Sequence, residues 1–230
     1  TAWSWAIALS AATLVVLAMY HWFFLPTGSI VVRPKSAGEV ATTFWDTIVD
    51  FFRKDKIWGM LLFVFLFRSA EGLLLVEGPL FLQASTAVGG VGLSLKEKGL
   101  IDGTISTFVS LFAGLLGGAF MAKFGLKRNT LFFMALCMNI PHLTYIVLSQ
   151  LAGPGHTLSL WAIGSLVTVE TFGYSFGFVA NMLYMMQQIS PGKYHMSHYA
   201  FANSLMNLTL VPTQMISGPL ADHFGYKTYF

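Results

Sequence analysis

The chain has 230 residues, of which 55% are hydrophobic and 10% charged, where an ordinary soluble domain devotes about a quarter of its residues to charge. That balance excludes a soluble enzyme and describes an all-α, polytopic helical membrane protein. The formal charge of +3 sits on few basic residues beside apolar stretches, with no basic stripe interleaved with aromatics, so no nucleic acid is expected as a partner.

A spanning helix needs about 20 apolar residues. Six windows offer them: Trp3 to Leu25, Ile57 to Gln83, Ile101 to Ala122, Thr130 to Leu151, Leu158 to Gln188 and Met196 to Leu220. The first lacks a basic leading region and is too long for the core of a signal peptide, so residues 1–25 read as a transmembrane helix. Opening on Thr1 and ending in KTYF just after a turn, the sequence reads as a piece of a longer chain, with elements missing at both ends.

Residues 26–56 form the one sizeable polar connection, with Arg33, Lys35, Arg53, Lys54 and Lys56. Within it Phe44, Ile48, Phe51 and Phe52 recur at helical spacing with Asp46 and Asp50 between them, which predicts a short amphipathic helix at the membrane surface. If this connection is cytoplasmic, its side also holds Lys123, Lys127, Arg128 and Lys193, against Lys96, Lys98 and Lys227 on the other. That bias sets the topology.

The second window carries FRSAEGLLLVEGP, with Arg68, Glu71 and Glu77. An ionised residue at mid-membrane costs roughly 2.5–3.5 kcal/mol even on lenient scales. Arg68 and Glu71, three apart, share a helix face and can offset each other while pointing into a bundle interior. Glu77 lies about 120° around the helix from Glu71, directly before Gly78 and Pro79. That VEGP step is expected to loosen the helix, which a transporter tolerates where backbone lines a cavity.

The third window contains GLLGG, with Gly114 and Gly118 four apart, and the fifth contains GYSFG, with Gly173 and Gly177, so both are expected to pack closely in lipid. Asp102 is placed at a helix start, where capping or dipole compensation suffices. Asn139 and His142 flank Pro141 in the fourth window and, with Asn181 in the fifth, are further candidates for proton coupling or substrate binding. Glu170, in the fifth, has no partner within its own turn and is a candidate proton acceptor. Asn181, Asn203, Asn207 and Gln214 are read first as interhelical hydrogen-bonding groups. His195 and His198, three apart, lack the carboxylate or cysteine partner a metal needs, and the single cysteine, Cys137, builds no thiolate site, so neither metal nor cofactor is expected. No phosphate-binding loop, dinucleotide fingerprint or HExxH is present, so the chain does not read as an enzyme, although a membrane-embedded enzyme or receptor stays open.

Two segments, GGAFMAKFGLKRN and SGPLADHFGYKTYF, repeat one pattern: a glycine, small and apolar residues, a polar residue, Phe-Gly, then a base. The pattern resembles the loop signature of the major facilitator superfamily, G-x-x-x-D-x-x-G-x-K/R-K/R. Gly118, Gly125, Lys127 and Arg128 match in the first copy, where Lys123 stands in the place of Asp. Gly218, Asp222, Gly225 and Lys227 match in the second. Together with LKEKGLIDGTISTFVSLFAGLLGGAFMAKFGL and GFVANMLYMMQQISPGKYHMSHYAFANSLMNL, the chain is similar to AmpG-like muropeptide permeases, proton-driven importers in the bacterial inner membrane.

The resemblance implies that residues 1–25 end the N-terminal half, that 26–56 is the central cytoplasmic loop, and that 57–230 is the C-terminal half without its final helix. It implies a small-molecule substrate, moved with protons by alternating access, and the missing N-terminal half as partner. Glu71, oriented by Arg68, is the first candidate for coupling, followed by Glu170 and Glu77. The alternative within transport is a facilitator of sugars or anionic metabolites, with Arg68 binding the anion.

Overall fold

The computed structural model describes residues 2–25, 36–69, 71–155 and 158–230. Part of the central connection, including Arg33 and Lys35, lies outside the described residues. The chain divides into two compact units, Thr1–Trp45 and Asp46–Phe230. Five helical stretches are long and apolar enough to cross a membrane: Ala2–Phe24, Ile57–Gln83, Leu95–Phe124, Arg128–Leu151 and Leu160–Ile189. Helices dominate and no β-sheet occurs among the described residues, so the protein is an all-α polytopic membrane protein.

The first unit holds α1, Ala2–Phe24, and the beginning of α2, Ala37–Phe52. In α1 apolar residues point outward on every side, the signature of a helix meant for lipid or a larger bundle. Its hydroxyls turn inward on the backbone: Ser10 donates to Ala6 O and Thr13 to Leu9 O, each at 2.9 Å, so neither presents a free donor to hydrocarbon.

The second unit begins within α2, whose residues from Asp46 onward belong to it. The predicted amphipathic helix is present and longer than its apolar spacing suggested. Phe51 is fully buried, and its ring meets Phe52, Phe201 and His198 edge-on. Lys54 then donates to Ile189 O and Pro191 O at 2.5 and 2.8 Å, satisfying carbonyls at the end of the fifth span. The opposite end of the unit is marked by Gln150 donating to Lys227 O and by Phe81 packing on Tyr226 and Phe230.

The second span is interrupted. Helix α3, Ile57–Phe67, stops at Arg68, and α4, Glu71–Gln83, starts three residues on. The VEGP step was expected to be the weak point, yet α4 continues through Gly78 and Pro79. The break falls at Arg68 instead because there the freed carbonyls find partners. Arg68 N donates to Phe65 O, Ser69 N and Oγ to Leu66 O, Asn139 Nδ2 to Phe67 O, and Glu71 N to Arg68 O. A broken helix end within the bilayer is tolerated only when accounted for in this way.

The third span runs from a capping box at Ser94 and Glu97 through α5, Leu95–Lys98, a π-helical stretch at Gly99–Ile105, and α6, Ser106–Phe124. Ser94 is the cap, so Asp102 does not start the helix as expected; it lies in the π-helical stretch, paired with Lys98 at 3.0 Å. The fourth span is α7, Arg128–Asn139, a 3₁₀ turn at Ile140–His142, and α8, Leu143–Leu151. The fifth is α9, Leu160–Tyr184, ending in a π-helical turn at Met185–Ile189.

The expected sixth span appears as α10, His195–Leu208, and α11, Leu210–Phe224, separated at Thr209. Thr209 Oγ1 donates to Met206 O at this interruption, and Pro212 lacks the N–H that would continue the ladder across it. A short α12, Tyr226–Tyr229, follows.

Helix α9 is the centre of the unit. Gly173 and Gly177 pack as expected: a Cβ at either would run into the α7 backbone, at Cys137 O or Met134 O. On α6 the expectation was Gly114 and Gly118, and the structure corrects it. Neither has a neighbour within 4 Å of where a Cβ would stand, whereas a Cβ at Gly117 would meet Phe176 O at 2.5 Å. The face toward α9 is Ser106, Ser110, Ala113, Gly117 and Met121, with Ser110 and Ser175 hydrogen-bonded at 2.9 Å. Three glycines stand within five residues of α6, and only rotation about its axis decides which of them is inside.

The two repeated turns share a backbone. Helices α6 and α11 both end in a glycine at φ 71°, Gly125 and Gly225, whose N–H donates four residues back to Met121 O and Ala221 O at 2.8 Å. Left-handed φ is why glycine recurs there.

Candidate functional site

The interruption of the second span places Arg68 at the end of α3 and Glu71 at the start of α4, where free backbone N–H groups favour a carboxylate. Both are buried, 5% and 3% exposed. Arg68 Nε and Nη2 donate to the two oxygens of Glu71, a bidentate fork with both bonds at 2.5 Å. The guanidinium also donates through Nη1 to Asn207 Oδ1 at 3.0 Å, from the last turn of α10, and lies 5.0 Å over the ring of Phe178 on α9. Tyr174, one turn before Phe178, donates its hydroxyl to Glu71 Oε1 at 2.9 Å. Residues of the second, fifth and sixth spans are therefore tied at one ion pair.

A second pair lies beside it. Pro141 interrupts the fourth span and leaves His142 in the 3₁₀ turn, where Nδ1 stands 3.1 Å from Glu170 Oε1 on α9. Glu170 thus has its partner on another helix. The ring of His142 is 6.5 Å from that of Tyr174, and the other ring nitrogen, Nε2, is buried without a hydrogen-bond partner.

Both pairs open on one cavity of about 250 Å³. Its polar lining includes Glu71, Asp102, His142, Tyr145, Glu170 and Tyr174, and its apolar wall includes Leu74, Pro79 and Val167. Of the sites read from the sequence, Arg68, Glu71, His142 and Glu170 are brought together here. Asn139 stands at the break as the partner of Phe67 O rather than in the cavity lining.

Glu77 is not in this group. It is 3% exposed and faces α11, where Gly218 passes close by, with Asp222 and Ser217 as its electrostatic neighbours. Asn181 is fully buried and donates to Met206 Sδ at 3.2 Å. His195 and His198 do not form a pair: His198 Nε2 donates to Thr47 O at 3.1 Å and lies 3.7 Å from Asp50. Gly125, Lys127, Arg128 and Gly225 lie at the two turns, and Gly118, Gly218 and Asp222 lie within the helices that lead into them; none lines the cavity.

Sequence reasoning did not single out Tyr174 or Tyr145. Tyr174 sits four residues after Glu170 and could have been found as the next group on that helix face. Aromatic residues are so common in this chain that nothing else marks it.

No family model matches the chain. It is 25% identical over 195 residues to an uncharacterized protein of Haemophilus influenzae, a match covering 81% of this chain and 43% of that protein. It is 22% identical over 205 residues to the anhydromuropeptide permease of Escherichia coli K12, covering 89% of this chain and 38% of the permease, and equally to that of Escherichia coli O157:H7. The chain thus spans about two fifths of the length of these curated relatives. The similarity is distant, and the two Escherichia coli relatives are named as permeases, which are transporters.

Proposed function

We propose that this chain is the C-terminal half of a major facilitator transporter, in the bacterial inner membrane, that moves a muropeptide or amino-sugar peptide together with protons by alternating access. The observation that carries the reading is the cavity itself. Two ion pairs, Arg68–Glu71 and His142–Glu170, of which only Glu170 stands on an unbroken helix, open on one space. Ionisable groups at membrane depth are costly and are retained where they serve a solute or ion path. Interrupted helices within the bilayer are tolerated where they border such a path.

Similarity to the anhydromuropeptide permease supports the substrate class. The cavity suits such a solute chemically: carboxylates and hydroxyls can receive sugar hydroxyls and peptide N–H groups, and the wall of Leu74, Pro79 and Val167 can pack against a sugar face. The other half of the transporter is proposed to close the path from the opposite side. The full-length protein in proteoliposomes is expected to accumulate radiolabelled anhydromuropeptide when an inward proton gradient is imposed, and not when the gradient is collapsed. Gradient-independent uptake would return the protein to the class of facilitators.

A further inference from the structure

We infer that the coupling proton binds at the His142–Glu170 pair, on His142 Nε2, while Arg68–Glu71 is a clamp that holds the broken second span. This deepens the proposed function and rests on it. Among the acids of the spans, Glu71 is already held by three side-chain donors. Both of its oxygens receive the Arg68 fork, and one also receives Tyr174. A proton there would displace a charge-assisted bond and strand a buried guanidinium.

His142 is built the other way. Its Nδ1 faces the Glu170 carboxylate, which can only accept, so Nδ1 carries the hydrogen in the neutral ring and Nε2 carries the bare lone pair. That lone pair is buried and receives no hydrogen bond from the protein. An unsatisfied buried acceptor on a residue that lines a cavity is a seat for a proton. Its arrival converts a neutral imidazole facing a carboxylate into an imidazolium–carboxylate pair. No covalent bond other than N–H is made, and the proton leaves by the same lone pair when the cavity opens to the other side.

The charges around the pair do not balance. The groups facing the pair are Asp102, with Lys98, from the third span; Glu71, with Arg68, from the second; and the neutral phenols of Tyr145 and Tyr174. Two cations thus face three carboxylates, counting Glu170. With His142 neutral the cluster therefore counts one carboxylate more than it has cations. Glu170 is in this scheme a positioning residue that sets the ring's tautomer and stabilises the imidazolium.

The test uses the full-length protein in lipid, with ¹⁵N-histidine solid-state NMR across a pH series and, separately, vesicle transport of radiolabelled anhydromuropeptide. The wild type should show an imidazolium signal that His142→Gln removes and that Glu170→Gln retains only at lower pH. Both variants should elute as the wild type does on size exclusion in mild detergent, which shows that they fold, and should lose proton-driven accumulation. Residue 142 remaining neutral throughout the pH range of driven uptake would overturn the assignment, as would His142→Gln accumulating substrate with the wild-type pH profile. If the residue-142 signal titrates as described but no anhydromuropeptide moves in any condition, the proton site stands and the substrate reading falls.

Discussion

Replacing Arg68 with alanine should be among the most damaging single changes in the membrane-spanning part of the chain. It removes both bonds to Glu71, the bond to Asn207 Oδ1 and the stacking over Phe178, and it leaves Glu71 buried with Tyr174 as its remaining side-chain donor. Breaking a buried pair from one side costs about 3–5 kcal/mol, because the stranded charge keeps its desolvation penalty. That is roughly a 150- to 5,000-fold change in the folding equilibrium. Arg68→Ala with Glu71→Ala removes the stranded charge and should recover most of that loss. Reversible unfolding of the full-length protein in mixed micelles, by SDS titration followed by tryptophan fluorescence, gives the comparison. The single variant being as stable as the double would refute the claim that Glu71 is charged and dependent on Arg68. The double variant should also transport poorly, since Asn207 and Tyr174 lose the pair on which they converge.

Gly117→Ala should destabilise the unit by about 1–3 kcal/mol through overpacking against Phe176 O, while Gly118→Ala should be neutral or stabilising by up to about 1 kcal/mol, both read in the same unfolding assay. Lys54→Met should loosen the turn after the fifth span, with a stability loss near 1 kcal/mol after allowance for partial solvent screening and faster amide exchange at residues 190–194. In a background lacking Cys137, a cysteine placed at Ser36 should resist an impermeant reagent added from outside, and one at Lys96 should react. Labelling at position 36 from outside would invert the topology drawn from the basic residues.

Much of the fold was legible because lipid imposes few solutions. Five of the six windows read from hydropathy return as spanning helices, and the sixth returns as α10 and α11. The Arg68–Glu71 pair was legible too, since a spacing of three puts both on one helix face. The pairing of His142 with Glu170 was not, because 28 residues and a change of helix separate them. The misplaced break at VEGP has the same origin. Proline removes one N–H wherever it stands, but whether a helix opens depends on donors such as Asn139, which arrive from another span.

The sequence by itself therefore determined what each segment must do in a membrane: which stretches span and which residues cost energy there. Those properties belong to single residues and near neighbours, and the bilayer penalises every departure from them. Only the tertiary structure decided which charges meet, which of three glycines in α6 faces its neighbour, and where the second span opens. Each of these turns on the rotation and depth of one helix against another, and a hydrophobic pattern that is nearly uniform around the helix carries no record of either.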